Sequence, residues 1–155
     1  MTDLSDILAP DGVDEAVGAT SKKGLLQHFA TATARRTGID AREIATALAE
    51  REKLGSTGFG GGVALPHVRL PGLDRIHGYF ARLAAPLQYQ AVDRLPVDLA
   101  FMILSPVDAG ADHLKALARV SRVMRDKQML AKLRGARSRD AIYALLTGGE
   151  ARDAA

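Results

Sequence analysis

The chain has 155 residues, of which 47% are hydrophobic and 25% are charged, a balance typical of one globular domain with its own core. It has no cysteine, which excludes thiolate chemistry and cysteine-ligated zinc, and no run of 18 apolar residues that could span a bilayer. Because its first residues are acidic rather than basic, we expect no secretory leader. The net charge of +3 is mild and aromatic residues make up 5%, so we expect a cytoplasmic protein that is not membrane-embedded and binds no nucleic acid.

The first helix is predicted after an irregular N-terminal segment. Residues 1–20 contain one short helical stretch over residues 4–8, which Pro10 ends. Ser21 is a suitable N-cap for the helix that follows, and its apolar positions recur at helical spacing until Gly38.

A second helix is predicted over residues 40–54, where Asp40 is the N-cap and Glu43 completes a capping box. Arg51 lies on the apolar face of this helix, seven residues after Ile44. Its guanidinium either reaches out to solvent or is held beneath the glycine-rich segment that follows, where it would be available to an anion.

The middle of the chain is predicted to form strands. Residues 63–65 form a short extended segment that ends at Pro66, because proline restricts the residue before it and lacks a ladder donor. A second strand covers residues 76–83, with a turn at Pro86. Residues 97–104 are nearly all apolar, which indicates a central strand covered on both faces.

Three further helices are predicted, with Asp112, Asp126 and Ser138 as their N-caps. Two helices, several strands and three more helices predict an α/β sandwich, in which a mixed sheet carries helices on both faces. We expect one domain over residues 1–148 and a disordered tail over residues 149–155.

The segment over residues 56–67 holds the most reactive candidate, His67, which follows Pro66 at the end of an extended stretch. Imidazole is mostly neutral and nucleophilic near pH 7. The glycines fit neither a dinucleotide-binding fingerprint, nor a phosphate-binding P-loop, nor a nucleophile elbow. They are either a flexible linker or a stretch where backbone N–H groups and a partner approach closely.

The other histidines have simpler interpretations. His28 and His77 read as surface, boundary or packed residues. His113 begins a helix, where the macrodipole would lower its pKa and favour the neutral form; the other interpretation is an incidental residue of the first turn, which is the more common case. Histidine spacing fits no zinc site, so we predict neither metal nor cofactor.

Residues 51–67, with the sequence REKLGSTGFGGGVALPH, resemble the active-site motif of the phosphotransferase-system enzyme IIA family, mannitol/fructose class. The match is closest to the nitrogen-regulatory branch of that family. Segments 69–73, 91–99 and 110–122 also resemble it, so the resemblance covers nearly the whole chain. It implies a mixed sheet flanked by helices, in agreement with the pattern above.

The resemblance also implies roles for three residues. His67 matches the histidine that accepts a phosphoryl group from an HPr-like phosphohistidine carrier protein. His113 matches a second histidine that hydrogen-bonds the phosphoryl oxygens, and Arg51 matches an arginine beside the pair. The loop expected near the phosphoryl group comprises Ser56, Thr57, Gly58, Gly60, Gly61 and Gly62, whose backbone N–H groups would stabilise its charge.

The donor is expected to dock against an apolar rim formed by Phe59, Leu65 and Val68. The leading hypothesis is a phosphoacceptor of a nitrogen-type relay, whose phosphorylation state regulates other proteins such as potassium-transport or sensor-kinase proteins. One alternative is a sugar-specific subunit that passes the phosphoryl group to a membrane permease component. Another is a non-catalytic module that docks without phosphorylation of His67.

Overall fold

The computed structural model describes residues 3–148, so the tail predicted for residues 149–155 lies outside the described residues. The described chain forms six strands and five helices. The strands are β1 Val13–Val17, β2 Gly58–Gly60, β3 Val63–Ala64, β4 His67–Leu70, β5 His77–Leu87 and β6 Val97–Pro106. The helices are α1 Lys22–Thr37, α2 Ala41–Lys53, α3 Ala111–Arg125, α4 Lys127–Gly135 and α5 Arg139–Thr147.

The six strands form one mixed sheet in the order β1-β5-β6-β3-β2, with β4 also paired to β6. Strands β3 and β4 both run parallel to β6 and follow one another along the same side of it. Pro66 separates them, because it has no N–H to give to the ladder, while its carbonyl still accepts the N–H of Ile103 at 2.9 Å. His67 therefore begins a strand immediately after this break.

The sheet separates two hydrophobic cores, as the predicted sandwich requires. Residues Ala100, Met102 and Leu104 of β6 pack in the core that contains the buried residues of α1 and α2. The alternating residues Leu99, Phe101 and Ile103 pack in the core that contains those of α3, α4 and α5. The prediction that this strand is buried on both faces is confirmed, because successive side chains of a strand point to opposite faces.

Local capping signals were predicted well. Ser21, Asp40, Asp126 and Ser138 each accept a backbone N–H of the first helical turn. The prediction for Asp112 is wrong: α3 begins after Gly110 without a side-chain cap, and Asp112 lies in the first turn of this helix.

Three other predictions from the sequence are corrected by the structure. Residues 4–8 form a single turn, in which the Leu8 N–H bonds the Leu4 carbonyl at 2.9 Å. Strand β1 lies within the segment predicted to be irregular, since only its two terminal valines are buried and the alternating signal is short. Strand β5 continues through the predicted turn at Pro86. Pairing between strands accounts for the last two corrections, because β1 pairs with β5 and β5 pairs with β6 as far as Leu87.

Candidate active site

The two histidines singled out by the sequence lie side by side. His67 is the first residue of β4 and pairs with Ile103 of β6, while His113 lies in the first turn of α3, which follows β6. The centroids of the two imidazole rings are 5.7 Å apart, and the ring planes are inclined by 49°. The parallel pairing places β4 beside the last four residues of β6, from Ile103 to Pro106, so that His67 lies near the end of β6 from which α3 departs.

The backbone fixes the protonation of the His67 ring. Nδ1 of His67 lies 2.7 Å from the carbonyl oxygen of Leu65. A carbonyl only accepts hydrogen bonds, so Nδ1 carries the proton and Nε2 of the neutral ring keeps its lone pair. Burial lowers the pKa of His67 below its ordinary value of 6.5; the bond to Leu65 opposes this shift, and the charge of Arg51 adds to it. The half-buried His67 therefore offers a neutral nucleophilic nitrogen at neutral pH.

His113 is buried and has a different partner. Its Nδ1 lies 2.6 Å from the hydroxyl oxygen of Ser105, a residue of β6. Burial first, and then the charges of Arg69 and His67, lower the pKa of His113 to about 4. The neutral state predicted for His113 is thus reached mainly through burial rather than through the helix macrodipole invoked from the sequence.

The unfolding free energy is expected to fall as the pH is lowered from about 6.5 to about 4. In this window the unfolded chain protonates His113 at its ordinary pKa of 6.5, whereas the folded chain keeps the ring neutral until about pH 4. Since the unfolded state then binds more protons, we expect His113 to account for a loss on the order of 2 kcal/mol. Denaturant unfolding of wild type and of His113→Asn across this range measures the difference. Equal slopes for the two proteins would contradict the assignment.

Two guanidinium groups accompany the histidines. Arg51 is half-buried near the end of α2, and its Nη1 donates to the carbonyl of Gly55 at 3.2 Å. Of the two interpretations of Arg51, this contact favours a cation held against the start of the glycine-rich segment. No role was predicted for Arg69, whose Nη2 donates to the carbonyl of Gly110 at 3.4 Å, just before α3. The available signal was its position two residues after His67, on the same face of a strand.

A buried carboxylate organises the start of the glycine-rich segment. Glu52 accepts the backbone N–H of Thr57 at 3.1 Å and the hydroxyl proton of Thr57, and it pairs with Lys22 at 2.8 Å. Because the single hydroxyl proton of Thr57 goes to Glu52, the Tyr89 hydroxyl donates to Thr57 Oγ1 at 3.1 Å. Glu52 thereby ties the end of α2, beside Arg51, to the residues that lead towards His67.

Replacing Glu52 with alanine is expected to lower the unfolding free energy by about 2–3 kcal/mol. The change removes the acceptor for the buried N–H and hydroxyl of Thr57 and leaves Lys22 without its carboxylate. Glu50→Ala is the matched control: Glu50 also lies on α2, but its side chain is 63% exposed and it pairs with the exposed Lys53. Denaturant melts should show a change below about 0.5 kcal/mol for the control. Similar losses in both variants would show that the Glu52 network is not stabilising.

The glycines at positions 60–62 lie away from the two histidines. They form the turn between β2 and β3, with positive φ at all three, from +70° to +110°. A Cβ at Gly62 would lie 2.6 Å from Nη2 of Arg134 and 2.9 Å from Oδ1 of Asp98, so glycine is required there. Val63 pairs with Leu99, four residues along β6 from the partner of His67, which corresponds to about 13 Å.

The donors of the predicted loop are largely engaged within the protein. Gly61 N–H donates to Asp93 at 3.0 Å, and Gly58 N–H donates to the Ser56 hydroxyl oxygen at 3.1 Å. The Ser56 hydroxyl in turn donates to the carbonyl of Tyr89 at 3.3 Å. The structure therefore makes this segment a hairpin held by hydrogen bonds rather than a flexible linker. It places Gly60, Gly61 and Gly62 away from the histidines. The Thr57 carbonyl accepts the N–H of Leu65 at 3.0 Å, two residues before His67, and the role of Ser56, Thr57 and Gly58 near a phosphoryl group stays a prediction.

The predicted apolar rim is also placed differently. Leu65 is buried. Phe59 packs in the core formed with α3, α4 and α5, beneath the guanidinium of Arg125, and Val68 packs against the core formed with α1 and α2. The large apolar side chains exposed next to the site residues are Leu54, at 84%, and Leu114, at 62%. Leu114 follows His113 directly, and Leu54 lies between Arg51 and the glycine-rich segment.

Within residues 3–148, no helix combines the length and apolar composition needed to cross a bilayer.

Comparisons with known proteins agree along nearly the whole described chain. A family model described as "Phosphoenolpyruvate-dependent sugar phosphotransferase system, EIIA 2" matches residues 6–148. The chain is 47% identical over 143 residues to a nitrogen regulatory protein of Bradyrhizobium diazoefficiens, with 92% of this chain and 94% of the relative covered. It is 31% identical over 147 residues to a fructose-specific EIIA component of Haloferax volcanii, with 94% and 96% covered.

The fold has a close counterpart among solved structures. The crystal structure of the nitrogen regulatory protein IIA-Ntr from Neisseria meningitidis superimposes with a TM-score of 0.89 at 32% sequence identity. The superposition covers 93% of this chain and 99% of that one.

Proposed function

Because the chain belongs to the EIIA 2 family of the phosphoenolpyruvate-dependent sugar phosphotransferase system, we propose that it accepts a phosphoryl group on Nε2 of His67. The donor is an HPr-like phosphohistidine carrier protein. The observation that carries this proposal is the hydrogen bond between Nδ1 of His67 and the Leu65 carbonyl, which leaves Nε2 as the free lone pair of a neutral ring. A neutral imidazole beside a second imidazole and an arginine suits a nucleophile that must meet an anion.

The reaction is an in-line displacement at phosphorus. The Nε2 lone pair of His67 forms a new N–P bond while the N–P bond of the donor's phosphoimidazole breaks, and the electron pair of that bond leaves with the donor ring. No proton has to leave His67, because Nδ1–H stays bonded to the Leu65 carbonyl and this acceptor stabilises the positive charge that develops on the ring.

The cations of the site stabilise the transferred group. Arg51 acts on the His67 side and Arg69 on the His113 side, as the influence of each charge on the pKa of its neighbouring histidine indicates. The step requires no metal ion, because the donor ring is already a good leaving group. The amides of the glycine turn at positions 60–62 have no part in this proposal, since the turn lies at the far end of the hairpin.

The carrier protein docks over the exposed apolar side chains that flank the two histidines. Leu54 and Leu114 replace the rim expected from the sequence, because both are mostly exposed and each is next in the chain to a segment of the site. Burial of such side chains by a partner is favourable and excludes water from the transferring phosphoryl group.

The proposed output is regulatory. The relative from B. diazoefficiens and the solved neighbour from N. meningitidis are both nitrogen regulatory proteins by name, and both align over nearly their whole length. We therefore place the chain in a nitrogen-type relay, in which phosphorylation of His67 changes its binding to target proteins such as potassium-transport or sensor-kinase proteins. Action in the cytoplasm stays a prediction from the sequence.

The test is phosphotransfer from a purified, phosphorylated nitrogen-type carrier protein, followed by mass spectrometry that maps the modified residue. We expect one acid-labile, base-stable phosphoryl group on His67. Absence of label with a cognate donor would support a non-catalytic docking module instead. Restored sugar uptake in a strain that lacks its own IIA subunit would favour a sugar-specific role, as the name of the fructose-specific relative suggests.

A further inference from the structure

Ser105 lies at the back of the site. It is a β6 residue with no exposed surface, and it pairs in register with Arg69 of β4. Its hydroxyl oxygen is 2.6 Å from Nδ1 of His113. Over residues 3–148, no second hydrogen-bond partner of this hydroxyl is found, and no buried side-chain nitrogen or oxygen lacks a partner.

This contact determines which atom donates. A serine hydroxyl carries one proton, and a buried hydroxyl that fails to donate loses its bond to water without replacement. If Nδ1–H of His113 donated to Ser105, the hydroxyl proton would have no acceptor in the buried space around it. If the hydroxyl donates to Nδ1, both groups are satisfied, and the proton of the neutral His113 ring lies on Nε2.

We propose that Ser105 is a positioning residue, whose buried hydroxyl donates to Nδ1 of His113 and holds this ring in the Nε2–H form. The inference rests on the proposed function of His67. The two neighbouring rings then have opposite tautomers: His67 presents a lone pair at Nε2, and His113 presents an N–H donor at Nε2. Nε2 of His67 forms the new bond to phosphorus. The Nε2–H of His113 donates to a phosphoryl oxygen as negative charge grows on that oxygen.

The charge state of His113 supports this assignment. A charged His113 would have both nitrogens protonated and would need no tautomer control. Burial and the neighbouring Arg69 keep the ring neutral at physiological pH, with a pKa of about 4. A neutral imidazole in the opposite tautomer would point a lone pair at the phosphoryl oxygens and repel them. The position of one proton therefore decides whether His113 helps or hinders transfer.

The first test uses the unphosphorylated protein, so that it does not depend on phosphotransfer. Long-range proton–nitrogen NMR correlations of the histidine rings distinguish a protonated from an unprotonated ring nitrogen. We expect His67 to be protonated at Nδ1 and His113 at Nε2 near pH 7. A proton on Nδ1 of His113 would overturn the proposal, whether or not His67 is later shown to accept phosphoryl groups.

The second test measures the function of the hydroxyl. Ser105→Ala should mix the His113 tautomers in the NMR spectrum and slow single-turnover transfer to His67 by roughly 2- to 10-fold, the loss expected from one hydrogen bond. Thr33→Val is the matched control, because Thr33 is also a buried hydroxyl, donating to the Phe29 carbonyl at 2.8 Å on α1. The Thr33→Val variant should leave the His113 tautomer and the rate of transfer to His67 unchanged.

The possible outcomes separate this proposal from the function on which it rests. A wild-type transfer rate in a folded Ser105→Ala protein would overturn the positioning role. If Ser105→Ala does not fold, Ser105→Thr keeps the hydroxyl, and the wild-type NMR spectrum still decides the tautomer. If wild type itself accepts no phosphoryl group while His113 is protonated at Nε2, the proposed function fails and the tautomer assignment stands.

Discussion

Replacing His67 with alanine is expected to abolish phosphorylation by the carrier protein, a loss of at least about 10⁴-fold in transfer rate. The side chain supplies the only bond that forms at phosphorus in the proposed step, so no neighbouring group can compensate by stabilising charge alone. His113 does not substitute for it, because its Nε2 lone pair would require the opposite tautomer and the ring is buried. The measurement is labelling from phosphoenolpyruvate through the purified relay proteins, quantified per protein chain.

His28→Ala provides the matched control for the loss of an imidazole. His28 lies on α1, where its Nε2 contacts Asp14 at 2.6 Å, far along the chain from the site and on a different element. This variant should retain full labelling. Label that persists in His67→Ala would reject His67 as the acceptor, and the mapped position of that label would identify the true one.

Replacing Arg51 with glutamine is expected to lower the rate of transfer by roughly 100-fold, the scale seen when one preorganised donor to a developing oxyanion is removed. Arg51 is half-buried and already held by the Gly55 carbonyl, so its charge is positioned before the donor arrives. Removing that charge should also raise the pKa of His67 towards its ordinary value, because the Arg51 cation lowers it in the wild-type protein. NMR titration of the His67 ring measures this second effect.

The direction in which the transfer rate changes with pH follows from the lowered pKa of His67. In wild type, the His67 pKa lies below 6.5, so the ring stays neutral and the transfer rate stays constant until the pH falls below that value. In Arg51→Gln the decline should begin at a higher pH. Lys53→Gln removes one positive charge from the same helix, but its side chain is 70% exposed and pairs with Glu50, so both readouts should be unchanged. Equal behaviour of the two variants would mean that Arg51 acts only through net charge.

The sequence predicted the helix caps better than the strands. The N-caps at Ser21, Asp40, Asp126 and Ser138 were predicted correctly, because a cap is a contact between residues two or three apart. The Asp112 prediction failed because Gly110 begins α3 two residues earlier. Strand β1 was missed because it gains its stability from pairing with β5, which a short window of sequence does not contain.

At the candidate site, the structure brings some of the predicted residues together and places others elsewhere. His67 and His113 were singled out from residue type, local context and resemblance, and the structure places their rings 5.7 Å apart. The glycines after Gly58 were assigned to the same place, whereas the structure turns them away towards Arg134, Asp98 and Asp93. Composition shows that a glycine run can turn sharply, but not which side chains approach it.

By itself, the sequence determined the α/β layout, the burial of β6 on both faces and the presence of an imidazole nucleophile candidate, because periodicity, caps and residue chemistry are local properties. Only the tertiary structure decided that the Leu65 carbonyl accepts the Nδ1–H of His67, that Ser105 lies against His113 and that Arg69 belongs to the site. These features depend on the register between β4 and β6 and on the break at Pro66. Strand register brings distant residues together, so no local pattern encodes the proton positions that follow from it.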